Sequence, residues 1–207
     1  SDEFEQSLEW RGGSVLGRYM IEVGQEDFAQ VLADIAKLPV DGIFFGGLVT
    51  EGGKLRKQMV ESGLGNIMFI GAAGIQFQTF SEIAGETAEG SFCAGTFDPT
   101  KTAEGIKFIQ DYEAQYEEPY EQNGPYAYDS AGIIMEAIRE AGPSRQSIIK
   151  YIRSHDFTGI TGTIHWDAYG QNTSGGISLY INQDGMWVRY EDSEYATGVR
   201  TLPWEDK

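Results

Sequence analysis

The chain has 207 residues, 41% of them apolar, with 15 Lys and Arg against 32 Asp and Glu, for a net charge of −17. That apolar share excludes a disordered chain, and the length admits one or two domains around a buried core. The carboxylates are spread along the chain as a solvated surface and repel phosphate backbones and anionic bilayers, so nucleic-acid binding is disfavoured.

From residue 14 onward, β-type runs alternate with helical stripes. Residues 14–22 (SVLGRYMIE) read as a strand, and residues 27–37 place Phe28, Val31, Leu32 and Ile35 at helical spacing before Leu38-Pro39 stops the helix. Residues 41–45 (DGIFF) form a short strand ending in Gly46-Gly47, followed by a helix through Leu55, Gln58, Met59 and Ser62 that closes at Gly63. A third unit follows: residues 67–70 (IMFI), the small loop Gly71-Ala72-Ala73-Gly74, a helical stretch to Ala84-Gly85, and a strand over residues 91–97 (SFCAGTF). Repeated strand–helix units imply a parallel sheet with helices on its faces. Beyond Asp98-Pro99 the pattern turns helical over residues 102–117, 125–142 and 144–154, which makes residues 97–100 a crossing between two subdomains. Residues 160–166 and 177–190 return to strand, the latter folded into a hairpin at Gln183-Asp184-Gly185.

Motifs for catalysis fail one by one. LVTEGGKL (residues 48–55) imitates a phosphate-binding loop after a strand, but Leu48 replaces its first glycine and Leu55 its magnesium-binding Ser or Thr. There is no G-x-G-x-x-G, G-x-S-x-G or H-E-x-x-H, and His155 and His165 are not spaced as metal ligands; His165 reads as structural. Asp167, Asp184 and Asp192 lie near turns, where a carboxylate hydrogen-bonds its own backbone, so turn formation outranks calcium binding. The one cysteine, Cys93, can neither close an internal disulfide nor build a cysteine metal site. No apolar run approaches the ~20 residues of a spanning helix, and the opening Ser1-Asp2-Glu3-Phe4 is not a signal peptide, which leaves a cytosolic protein or a mature or truncated chain. Asn172-Thr173-Ser174 is a formal glycosylation sequon. No catalytic residue, metal or cofactor is expected.

One positive signal stands at the carboxyl ends of the expected parallel strands, where open α/β sheets bind ligands. The loops 46–50 and 71–74 each feed a helix N-terminus whose free amides can hold a carboxylate or another polar group. They are equally readable as short connections. Tyr126 and Tyr128, at the start of a helix in the second subdomain, are candidates for aromatic cover or for core aromatics.

Several phrases, in order, give the chain its resemblance to branched-chain amino-acid type periplasmic solute-binding proteins, the capture subunits of ABC importers. They are GQEDF (24–28), DGIFFGG (41–47), LRKQMVESG (55–63), residues 71–74, IAGETAEG (83–90), Ala127-Tyr128-Asp129, FTGITG (157–162) and Asp184-Gly185-Met186-Trp187. The resemblance covers residues 12–190 and implies an α/β fold of the periplasmic-binding type I class. Its parallel sheets are flanked by helices in two hinged lobes, the first of them incomplete in this chain. It further implies that residues 1–98 are mainly the second lobe, 99–156 a helical segment returning to the first, and 157–207 hinge-region and terminal strands. Members of the family are considerably longer, so the chain resembles a carboxyl-terminal piece, and the segment 4–10 is short for the helix expected before Gly12-Gly13.

The function implied is capture of a small metabolite (an amino acid, a carboxylate, an aromatic acid or an amide) without catalysis, for delivery to an ABC permease in the membrane. A ligand-sensing domain of the same fold in a receptor or regulator is the alternative. An enzyme on a doubly wound sheet is the weakest reading, because no nucleophile, base or metal constellation can be named. The setting implied is periplasmic or extracellular, with a lipoprotein anchor an option for the full-length form, and the missing first-lobe segment is itself an expected partner. Carried onto this sequence, the ligand contacts are Gly47, Leu48, Gly71, Ala72 and Ala73, with Tyr126 and Tyr128 from the first-lobe side. Two positions depart from the amino-acid binders. Ala73 stands where they carry a glutamate that pairs with the ligand ammonium, and Leu48 where they carry a tyrosine. A buried ammonium without a counter-charge is costly, so a carboxylate, an amide or another neutral metabolite fits this loop pair better than a branched-chain amino acid.

Overall fold

A computed structural model describes residues 2–96, 98–173 and 176–205. Phe97, expected in the crossing, and Ser174 of the sequon lie outside the described residues. In chain order the elements are α1 (Asp2–Trp10), α2 (Ala29–Ile35), β1 (Gly42–Phe45), α3 (Val49–Glu61), β2 (Met68–Ala72), α4 (Gln78–Ala84), β3 (Phe92–Gly95), α5 (Ala103–Tyr116), α6 (Gly124–Ala141), α7 (Arg145–Arg153), β4 (Phe157–Gly159), β5 (Gly162–Ile164), β6 (Ser178–Gln183) and β7 (Met186–Arg189). The chain forms two compact units, residues 1–95 with 179–207 and residues 96–178.

The first unit is built on a five-stranded sheet of order β1-β2-β3-β6-β7. β1, β2 and β3 are parallel, with Phe45 opposite Gly71 and Gly71 opposite Cys93. Side-chain alternation along these strands separates two cores. Phe69 and Cys93 point to one face and meet Phe28, Leu32, Leu55, Met59 and Phe80 from the helices. Ile70, Phe92 and Ile181 point to the other and meet Tyr195, Leu202 and Trp204 of the C-terminal segment, Trp204 packing on Phe92 with ring centroids 5.6 Å apart. The β6–β7 hairpin turns on Asp184 and Gly185, both at positive φ (54° and 77°), as a two-residue turn matched to the strand twist requires.

The helices follow the sequence pattern closely; residues 14–22 do not. They carry no strand, and Leu16, Tyr19 and Met20 are exposed, Met20 at 95%. Alternation alone makes no strand, since the backbone needs a neighbour to pair with and none is in register there. The expected helix ahead of Gly12 is present as α1, which has no buried residue and stacks Phe4 on Phe44 at 4.0 Å.

The second unit packs α6 and α7 over the two-stranded antiparallel β4–β5 ladder, with Ile133, Phe157 and Ile164 at its centre and Tyr151, Ile152 and Trp166 around them. The expected strand over 160–166 is instead a turn at Ile160-Thr161 followed by β5. Asp129 on α6 captures that turn: its carboxylate accepts from the Ile160 and Thr161 amides, both at 2.9 Å, and from the Thr161 hydroxyl at 2.6 Å.

Candidate functional site

Two loops end the parallel strands on the same side of the first unit. After β1 the chain runs through Gly46, Gly47 and Leu48 into α3; after β2 it enters a single 3-10 turn, Ala73–Ile75, directly from Ala72. The loops touch through their backbones. A Cβ on Gly74 would lie 2.6 Å from the Gly47 carbonyl oxygen, an approach that only glycine permits, and 3.4 Å from the Leu48 side chain. Gly47 and Leu48 are thereby brought beside Gly74, the neighbour of Ala72 and Ala73. Leu48 is 62% exposed, Gly47, Ala72 and Ala73 are half-buried, and neither loop carries an ionisable side chain.

Gly71 is placed differently from its neighbours. It is buried, its backbone lies between β1 and β3, and the space over its Cα is filled by Ile75. Its lack of a side chain makes room for Ile75, which in turn supports the 3-10 turn carrying Ala73. The glycines of the imitation phosphate loop have a similar role: Gly52 and Gly53 lie inside α3, where a Cβ would crowd Ile75 and Phe45 in one case and Ile83 in the other. Lys54, the would-be phosphate lysine, pairs with Glu26 at 2.5 Å.

The N-terminus of α3 holds a carboxylate of its own. Glu51, buried in the first helical turn, accepts from the Gly24 amide at 2.7 Å. That hydrogen bond, with one from its own amide, holds its carboxyl below the usual carboxylate range. A negative side chain at a helix N-terminus is favoured by the helix dipole, and here it ties residue 24 to the α3 side of the sheet. Cys93 beneath the loops is fully buried; its thiol points to the Ala72 carbonyl at 3.4 Å, and burial pushes its pKa up to about 12.

In the second unit Tyr126 is half-buried and Tyr128 is 63% exposed on the first turns of α6, with the Tyr128 ring edge-on to Phe108 at 5.3 Å. Pro125 starts the helix and Asp129 anchors it to the β4–β5 turn. Among the described residues, no group of three or more His, Cys, Asp or Glu is placed to hold a metal ion. His165 pairs with Asp156 at 2.5 Å on the surface, and Asp167 accepts from the Tyr169 and Gln171 amides as a turn carboxylate.

Three residues at these places escaped the sequence reading. Gln76 follows the 3-10 turn and lays its amide over Gly95 at the end of β3; Gln122 donates to the Thr96 hydroxyl at 3.3 Å; and Asp129 clips the turn. Only Asp129 left a signal, since it sits inside one quoted phrase and its acceptor role explains why another, FTGITG, accompanies it. Gly159 of that phrase is where any Cβ would collide with the Asp129 carboxylate.

Comparison with known proteins decides the family. A family profile described as Periplasmic binding protein matches residues 1–185. The chain belongs to the periplasmic binding protein family. A Leu/Ile/Val-binding protein homolog from Brucella suis is 25% identical over 197 residues, covering 94% of this chain and 51% of that protein. A second homolog, from Brucella abortus, is 26% identical over the same length and coverage. Among solved structures, a leucine binding protein from Thermotoga maritima superposes with a TM-score of 0.83 at 22% identity, covering 91% of this chain and 54% of the other. A solute binding protein of an ABC transporter from R. palustris, solved with benzoate, gives 0.79 at 20% identity, over 91% and 53%. The chain thus has the mixed α/β type I periplasmic-binding fold, and it spans about half the length of the curated relatives it matches.

Proposed function

We propose that the chain is part of a solute-binding subunit of an ABC importer, which captures a small organic ligand between two hinged lobes and presents it to a membrane permease. The first unit supplies one lobe, its contacts centred on Gly47, Leu48, Ala72 and Ala73, with Gly71 acting through Ile75. Residues 99–156 belong to the other lobe, with Tyr126 and Tyr128 contributing aromatic contact. An unpartnered apolar stripe on α6 supports that assignment: Ala127, Ala131, Ile134, Met135 and Ile138 are all exposed at i, i+4, i+7, i+8 and i+11. In the whole protein this stripe covers the first-lobe sheet. Such a subunit works on the outer side of the cytoplasmic membrane, held there by a lipid anchor or free.

The observation that carries the ligand class is the absence of any charge on the loop pair at residues 46–50 and 71–77. An ammonium buried between the loops meets no carboxylate on either of them, whereas their backbone amides and apolar side chains suit a carboxylate on an apolar or aromatic body; the α3 end itself is taken by Glu51. Two R. palustris binding proteins of this fold, solved with benzoate and 4-hydroxybenzoate, show such ligands on the architecture. The test is a thermal-shift and calorimetric panel of benzoate, 4-hydroxybenzoate, aliphatic acids, leucine and isoleucine on the polypeptide that includes the first-lobe segment. A ligand at a hundred times its Kd adds ~2.7 kcal/mol of stability. Acids are expected to bind and leucine not to; Ala73→Glu reverses the order by restoring a counter-charge. Tight leucine binding by the unmodified protein, with no acid bound, would refute the ligand class.

A further inference from the structure

The chain passes twice between its two compact units, leaving the first after Gly95, the last residue of β3, and returning to it at Leu179, one residue into β6. Both passages meet one side chain. Gln76, half-buried directly after the 3-10 turn that carries Ala73, lays its carboxamide over Gly95 so closely that a Cβ there would collide with Oε1. The same Cβ would stand 2.8 Å from the ring of Tyr180, which follows Leu179 and is buried. Gly95 is not at positive φ, so what requires glycine there is the approach of Gln76 and Tyr180 rather than the backbone conformation. The contact is made wholly within the first unit.

The turn that carries Gln76 is held on every side. Ile75 is fully buried and fills the space over Gly71, and the Gln76 amide donates to the Ala73 carbonyl at 3.1 Å. Beyond Gln76, the Phe77 carbonyl accepts from Trp187 Nε1 at 3.2 Å and the Gln78 carboxamide donates to the Gly185 carbonyl at 3.1 Å, which ties the next two residues to the β6–β7 hairpin. The Phe80 and Trp187 rings pack behind them, with centroids 5.2 Å apart. A close-packed, hydrogen-bonded block of this kind transmits a displacement rather than absorbing it. Hinge motion is taken up at a few positions near the ends of elements, and Gly95 and Leu179 are such positions.

We propose that Gln76 is a positioning residue for lobe closure, which keeps both passages in register with the Ala72–Ala73 turn so that a ligand seated on the turn biases the two passages together. This rests on the two-lobed function proposed above and adds the side chain through which ligand contact in one lobe reaches the chain that joins the lobes. A ligand shifts an open–closed equilibrium only through its differential affinity for the two states, and Gln76 couples the contact to that difference.

The experiment uses the whole polypeptide, first-lobe segment included, with nitroxide labels at Lys57→Cys in the first unit and Lys150→Cys in the second, both exposed positions. Double electron–electron resonance without added ligand reads the distribution of distances between the units. Gln76→Ala is expected to broaden it roughly twofold, because the passages are no longer held to the turn. Gln76→Met, which keeps the reach of the side chain, retains the narrow distribution. Gly95→Ala, which pushes the carboxamide aside from the other direction, broadens it as Gln76→Ala does and decides the matter should that variant fold poorly. Amide exchange at Phe69, in the core of the first unit, stays unchanged in Gln76→Ala; a rise there that accompanies the broadening would make the residue merely structural and overturn the assignment. Equal widths in the unmodified protein and Gln76→Ala overturn it, as does equal broadening by Ala and Met. The ligand panel judges the function separately: a protein that binds a member of it yet shows equal widths keeps the function and loses this linkage, whereas one that binds none and still broadens in Gln76→Ala loses the function and keeps the linkage of the turn to the passages.

Discussion

Replacing Asp129 tests whether the second unit depends on a single polar clip. The carboxylate is 7% exposed and accepts three hydrogen bonds, from the Ile160 and Thr161 amides and the Thr161 hydroxyl. Hydrogen bonds to a charged group contribute ~1.5–3 kcal/mol each, but three on one carboxylate do not add, and removing the acceptor also strands the buried Ile160 amide at ~1–3 kcal/mol. Asp129→Ala therefore destabilises the β4–β5 turn by about 3–5 kcal/mol. Asp129→Asn, which keeps one acceptor oxygen and turns an NH2 group on the other donors, costs about 1.5–3 kcal/mol. Because the chain has two units, a single melting curve does not isolate this one, and amide hydrogen exchange is the appropriate assay. At tenfold per 1.4 kcal/mol, protection at Ile160 and Thr161 falls on the order of a hundredfold or more in the Ala variant. Gly159 supplies the control. Gly159→Ala clashes with the Asp129 carboxylate and destabilises by ~1–3 kcal/mol in the unmodified chain, yet has little further effect once Asp129 is Ala. Unchanged exchange at 160 and 161 in Asp129→Ala, or additive effects of the two substitutions, would refute the clip.

Gly74→Ala drives a methyl group against the Gly47 carbonyl, which as backbone cannot yield, and is expected to lower stability by ~1–3 kcal/mol in thermal unfolding; an unchanged Tm would show that the two loops are not held in contact. Cys93, with its thiol at about 12 and its side chain buried, is expected to resist iodoacetamide at about pH 8 in the native chain and to react promptly in denaturant. The Glu51 carboxyl is lowered in the fold, so its contribution is present above its unfolded value near 4.5 and is lost as pH falls through the lower folded value. Stability of the unmodified chain should accordingly fall more steeply between about pH 6 and about pH 3 than that of Glu51→Gln, as followed by denaturant unfolding at each pH. Arg200 joins Asp184, Glu194 and Glu89, which hold its pKa above the ordinary value, Asp184 most strongly. Arg200→Ala should speed proteolysis within residues 190–205, and an unchanged cleavage rate would mean that Leu202 and Trp204 alone secure the segment.

The sequence by itself determined the helices, the parallel order of strand and loop, and the hairpin turn. Apolar residues at helical spacing, glycines past helix ends and Asp-Gly between two strands act through hydrogen bonds and steric limits a few residues long, so they are legible without the rest of the chain. It also showed a charge-free loop pair, since that is a matter of composition at known positions. Tertiary structure decided everything that needs a partner distant in sequence. Residues 14–22 alternate as a strand does, yet stay irregular because no neighbouring backbone completes them. Gly71 reads as a loop glycine and is in fact the hollow that Ile75 fills, and Gly74 is required by a carbonyl 27 positions earlier in the chain. Asp129 and the turn 31 residues beyond it appear in the sequence as two unrelated phrases. They became one structural unit only when α6 brought the carboxylate to amides that would otherwise be buried without an acceptor.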